Sequence, residues 1–91
     1  MRQKLDGKFF GIIHKNKDNS VVPPDQWVVF LAKDNAFPAT LAFYREECKR
    51  LGAGPQQMAA VDDLITRVTE WRDNNRDLCK VPDVKDRELI W

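Results

Sequence analysis

A chain of 91 residues with 43% hydrophobic and 32% charged content fits one small globular domain and lies outside the disordered composition class. Its net charge of +1 argues against a dedicated binder of polyanions. The length is marginal for a self-sufficient core, so a partner subunit is expected to supply part of the burial.

The first residues, Met1-Arg2-Gln3-Lys4-Leu5-Asp6-Gly7, lack the apolar stretch of a secretory signal, and the longest apolar run, Trp27 to Ala32, is far too short to span a bilayer. The expected compartment is the cytoplasm, with no membrane association. Charge is unevenly spread. Residues 1 to 20 hold five basic side chains against two acids, a net of +3, whereas residues 53 to 77 hold three arginines against five acids, a net of −2. Ordinary solvated faces account for imbalances of that size.

Lys8 to Lys15 reads Lys-Phe-Phe-Gly-Ile-Ile-His-Lys, which predicts a strand entered through Asp6-Gly7. Phe9 and Ile13 fall on one face and Phe10 and Ile12 on the other, so burial on both sides is expected, one of them against a second subunit. Gly11 marks a bulge or a close backbone approach. Asn16-Lys17-Asp18-Asn19 supplies a polar turn, and Ser20-Val21-Val22 a short return strand stopped by Pro23-Pro24, whose nitrogens donate nothing.

The segment from Asp25 to Asp34 admits a helix opened by Pro24 or a third strand over residues 26–32. Its short, partly β-branched run Trp27-Val28-Val29-Phe30-Leu31 favours a buried central strand. Lys33-Asp34-Asn35 then turns the chain, with Asp34 able to accept from an exposed helix amide and Pro38 inside the first turn of the helix that follows.

That helix runs to Leu51 with an apolar stripe of Leu41, Tyr44, Cys48 and Leu51, and a second helix carries Met58, Val61, Leu64, Ile65, Val68 and Trp71. Between them, Gly52 is placed to close the first helix in the left-handed conformation and Pro55 to open the second. Glu46 and Arg50 are four apart in the favourable order for a surface pair. Asp62 and Asp63 early, with Arg67 and Arg72 late, suit the helix dipole, and a left-handed cap is expected in the Asp73-Asn74-Asn75 stretch.

Leu78 to Trp91 has no clear period and reads as an extended arm whose Leu89, Ile90 and Trp91 call for docking on the domain or a neighbour. Cys79 lies beyond the far end of the second helix from Cys48, so no disulfide is expected, and Cys48 reads as a small core residue. Reduced thiols agree with the cytoplasm.

Chemistry-bearing motifs are missing. One histidine and two separated cysteines make no standard zinc set, and Gly52-Ala53-Gly54 lacks the lysine and preceding strand of a phosphate loop. Asp62 and Asp63 diverge by about a hundred degrees on a helix and form no acid/base pair. His14, at a strand end beside Lys15, suits a surface or packing role. No metal, cofactor or enzymatic activity is expected.

The fold expected is α+β: a small antiparallel sheet of two or three strands packed on an antiparallel helical hairpin, with an extended C-terminal tail. Residues 1–91 form one domain, with the sheet region at 8–34, the hairpin at 35–75 and the tail at 76–91. The expected role is non-enzymatic binding as a homo-oligomer, with Phe9, Phe10, Ile12, Phe43 and Trp91 as interface candidates. One alternative is sequestration of a nucleotide-like anionic small molecule at a subunit seam, where Trp27, Tyr44, Trp71, Arg45 and Arg72 would stack a base and hold phosphate. A second is nucleic-acid binding through the basic N-terminal strand, with Lys8, Lys15 and Lys17 beside Phe9, Phe10 and His14.

Overall fold

The polar turn at residues 16–19 shapes the only strand pair among the described residues, which are 5–85 of the computed structural model. Asn19 adopts φ 62°, the left-handed conformation that asparagine tolerates, while the Asp18 carboxylate accepts from Ser20 N (3.0 Å) and Ser20 Oγ (2.7 Å). Lys15 N donates to Ser20 O, and Asn19 N donates to Lys15 O, both at 2.8 Å. This turn joins β1 (Ile13–His14) to β2 (Val21–Val22), antiparallel with Ile13 opposite Val22 and His14 opposite Val21.

Both strands are shorter than their composition predicts. The register explains why: continuing the ladder would set Ile12 opposite Pro23 and Gly11 opposite Pro24, and neither proline has an N–H to give. Lys8 instead ends a 3₁₀ turn, Leu5–Lys8, and residues 9–12 run irregularly. Two-sided burial of that stretch is not seen within the chain, because Phe10 is 89% and Ile12 75% exposed, although Phe9 is half-buried. The third strand does not form either. Pro24–Gln26 is a 3₁₀ turn, after which Trp27 is extended (φ −129°, ψ 153°) and residues 28–31 continue without helix, turn or ladder to any other described residue.

Contacts divide the chain into two compact units: one takes the sequence up to Val29 and from Asp83 onward, and the other is Phe30–Pro82. Within the first, Lys8 Nζ donates to Asp83 O (2.8 Å), tying its two segments together.

The second unit is built on two helices, α1 (Phe37–Arg50) and α2 (Pro55–Asn74). Asp34 prepares α1, as its carboxylate accepts from Ala36 N (2.7 Å) and its carbonyl from Phe37 N (3.0 Å), and Pro38 sits in the first turn. The Phe30 and Phe37 rings stack at 5.4 Å. At the other end, Gly52 takes φ +78°, Ala53 N donates to Cys48 O (2.9 Å) and Gly52 N to Lys49 O (3.1 Å), the two bonds of a Schellman cap. Pro55 then opens α2.

α2 ends differently from the expectation. Asn75 has φ −138° and ψ 42° rather than a left-handed conformation, and its side-chain Nδ2 donates back to Trp71 O (2.8 Å), satisfying an end carbonyl without the αL turn. A 3₁₀ turn, Arg76–Leu78, follows. The described part of the tail is therefore not a free arm: Lys80 N donates to Lys33 O (2.9 Å) and Lys80 O accepts from Asn35 N (2.8 Å), a single parallel bridge. Leu89, Ile90 and Trp91 lie outside the described residues.

The core of the hairpin is small. Leu41 and Cys48 from α1 and Val61 and Val68 from α2 are the buried hydrophobic residues, each pair seven apart and so on one face of its helix. Leu64, Ile65 and Met58 are half-buried, while Tyr44 and Leu51, expected on the α1 stripe, are exposed. Cys48 and Cys79 are free thiols.

Candidate interaction surface

The aromatic and arginine side chains singled out by composition occupy different settings. Arg45 leaves α1 toward α2, where its Nε donates to Asp62 Oδ1 at 2.6 Å, and its Nη1 also reaches Glu46 Oε1 (3.3 Å). The guanidinium hydrogen bond holds the Asp62 carboxyl below the usual carboxylate range, and the same bond raises Arg45. Tyr44, one residue earlier, accepts weakly from Gln57 Nε2 (3.5 Å). Hydrogen bonding to Cys48, one turn further on, and then its charge push the Tyr44 phenol up. The expected Glu46–Arg50 pair is replaced: Arg50 turns to Glu47 (2.6 Å), one residue closer, and Glu46 is engaged by Arg45.

Arg72 is committed to the chain itself. Its Nη1 donates to the carbonyls of Ala32 (3.0 Å) and Asp34 (3.2 Å), and Nη2 to Asn35 Oδ1 (2.9 Å). This fork fastens the loop that launches α1 onto the last turn of α2. Trp71, beside it, remains 36% exposed. Trp27 belongs to the first unit, half-buried, with its indole Nε1–H shut away from solvent and lacking an acceptor.

His14 Nδ1 lies 3.1 Å from the Asn19 carbonyl oxygen, an acceptor only, so this nitrogen carries the proton of that bond. The imidazole thereby closes the β1–β2 turn. Among the described residues, no group of three or more His, Cys, Asp or Glu is arranged to hold a metal ion. No described helix is long and apolar enough to cross a membrane.

What the surface does offer is apolar. Phe10, Ile12 and Phe43 stand in water, the last at 67% exposure, and of the remaining interface candidates Phe9 is half-buried and Trp91 lies outside the described residues. Val28, Phe30, Leu31, Leu51 and Val81 are also exposed. Sequence reasoning missed Val28 and Phe30 as surface residues because a continuous apolar run reads as a doubly buried strand; the prolines just before it were the available warning that neighbouring strands are short.

No family model, curated protein or solved structure matches this chain.

Proposed function

We propose that the protein is a non-enzymatic binding module that works as a homo-oligomer in the cytoplasm, using its exposed apolar side chains to join copies and to hold a protein partner. The observation that carries this reading is the disproportion, among the described residues, between the small buried set, Leu41, Cys48, Val61 and Val68, and the large apolar side chains left in water, Phe10, Ile12 and Phe43 among them. Single exposed apolar residues are ordinary on any surface, but so many on so short a chain favour association, because covering them releases free energy at roughly 25 cal/mol per Å². The free thiols of Cys48 and Cys79 support the reducing compartment.

Capture of a small anionic ligand through arginine is less favoured. Arg45 and Arg72 already donate to Asp62 and to the 32–35 loop, so a phosphate would have to displace those oxygens. A thermal-shift series against nucleotides tests that alternative, and the expected result is no stabilisation. Light scattering coupled to size-exclusion chromatography tests the main reading. Assembly above one chain mass at tens to hundreds of micromolar is expected, and a strict monomer at high micromolar concentration removes the reading.

A further inference from the structure

We infer that Phe30–Pro82 is a self-closed module, latched by Arg72 where the chain enters and leaves it, which keeps its fold while the flanking segments open, in the single chain and independently of any association between copies. The hairpin brings its own ends together. Because α1 and α2 are antiparallel, the residues before Phe37 and those after Asn74 both leave at the end away from Gly52. There they meet in backbone bonds: Lys80 N donates to Lys33 O (2.9 Å) and Asn35 N to Lys80 O (2.8 Å). From the last turn of α2, Arg72 adds its bonds to Ala32 O, Asp34 O and Asn35 Oδ1. Every donor and acceptor of this latch lies within Phe30–Pro82, so none of it depends on residues outside. Ala32, Lys33, Asp34 and Arg72 are half-buried, which limits competition from water. The opposite end is closed by the Gly52 turn, and Leu41, Cys48, Val61 and Val68 are buried between the two.

The flanking segments have no such closure. Among the described residues, all four buried hydrophobic side chains belong to the module, whereas residues 10–21 are exposed throughout. Regular backbone pairing outside the module is limited, among the described residues, to the two-residue strands, their turn and two 3₁₀ turns. Few buried apolar contacts and solvent-exposed backbone bonds mark the parts of a protein that open first. Since the chain enters and leaves the module at one latched point, opening outside it separates neither helix from the other. For a binding protein the consequence is direct: Phe10 and Ile12, exposed and outside the module, can take up a new setting on a partner while the hairpin stays folded.

Native-state amide exchange on the full chain, at low micromolar concentration and in urea below the unfolding transition, tests the latch and the module together. After correction for intrinsic rates, Lys15 and Asn19 are expected to exchange through an opening roughly tenfold or more as populated as the one that exposes Asn35, Val61, Val68 and Lys80. Protection at Lys15 and Asn19 equal to or above that at Asn35 and Lys80 overturns the module. Two variants read each side separately. Asn19→Val places a β-branched residue at φ 62° and is expected to speed exchange at Lys15 severalfold with Asn35, Val61 and Lys80 unchanged; acceleration that spreads to those three overturns the independence of the module. Arg72→Ala is expected to speed exchange at Asn35 and Lys80 about tenfold or more while Lys15 and Asn19 keep their rates. No change at Asn35 and Lys80 overturns the latch, and equal acceleration at Lys15 and Asn19 overturns the module. Should Arg72→Ala fail to fold, Arg72→Lys is read in its place, with the same pattern at smaller amplitude expected and the same outcomes overturning it.

Discussion

Arg72 shows how one side chain substitutes for missing regular structure. The loop from Ala32 to Asn35 has two carbonyls and one side-chain oxygen satisfied by this guanidinium, and hydrogen bonds from a charged donor contribute more than neutral ones. Arg72→Ala is expected to destabilise the chain by about 2 kcal/mol, a fall of roughly 8–16 °C in Tm, and Arg72→Lys is expected to recover less than half of it, since an ammonium cannot reproduce the fork. Calorimetric melting of the three proteins decides this. Gly52 is a different case: a Cβ there meets nothing within 4 Å, so only its φ of +78° resists substitution. Gly52→Ala should therefore cost about 1 kcal/mol, read as a lower urea midpoint at unchanged slope, and Gly52→Asn noticeably less. Asp62 brings a pH dependence. Arg45 lowers its carboxyl in the folded chain, so the stabilisation is present above about pH 4, where the unfolded carboxyl ionises, and is lost as pH falls through the lower folded value. The stability gap between wild type and Asp62→Asn is expected to narrow from pH 5 to pH 2.5 in urea titrations, and Arg45→Gln is expected to return the Asp62 carboxyl midpoint, followed by carboxyl NMR, to the ordinary range.

At the level of elements, the two helices lean on very little. Leu41, Cys48, Val61 and Val68 form the buried stripe, and Leu41 lies toward the open end of the hairpin, away from the Schellman turn that pins the other end. Leu41→Ala is expected to cost about 2–3 kcal/mol, the low end of the usual range, because a hairpin with exposed flanks can close part of the void; a two-state urea transition on the variant measures it. The hairpin was legible in the residue order because its signals are local: Gly52 and Pro55 act on their own turns, and so do Asn19 and Asp18 in the β1–β2 turn. Strand length was not legible, since the limit on β1 comes from Pro23 and Pro24 facing Ile12 and Gly11, a fact of register rather than of composition. The same holds at the candidate site. Arg45 and Arg72 look ligand-directed by residue type, but their acceptors lie 17 and as many as 40 residues away in the chain, beyond the reach of any local pattern.

For the molecule as a whole, the proposed homo-oligomer raises the question of which force would bring copies together. The net charge of +1 makes long-range repulsion between copies slight. For the proposed assembly, apolar burial is the main driving term, supplied by exposed side chains such as Val28, Phe30 and Phe10. That origin has a thermodynamic signature. An interface of about 1,600 Å², some 60% apolar, implies a heat-capacity change on association of about −0.3 kcal/mol/K, from opposing contributions of apolar and polar area. Dilution calorimetry between 10 and 35 °C is expected to show the heat of association becoming more exothermic on warming with about that slope. Raising salt from roughly 0.05 to 0.5 M, which shortens the screening length severalfold, is expected to change the dissociation constant by less than about tenfold. A flat heat against temperature combined with a steep salt dependence would assign the association to charge, and the exposed aromatic and aliphatic side chains would then need another occupant.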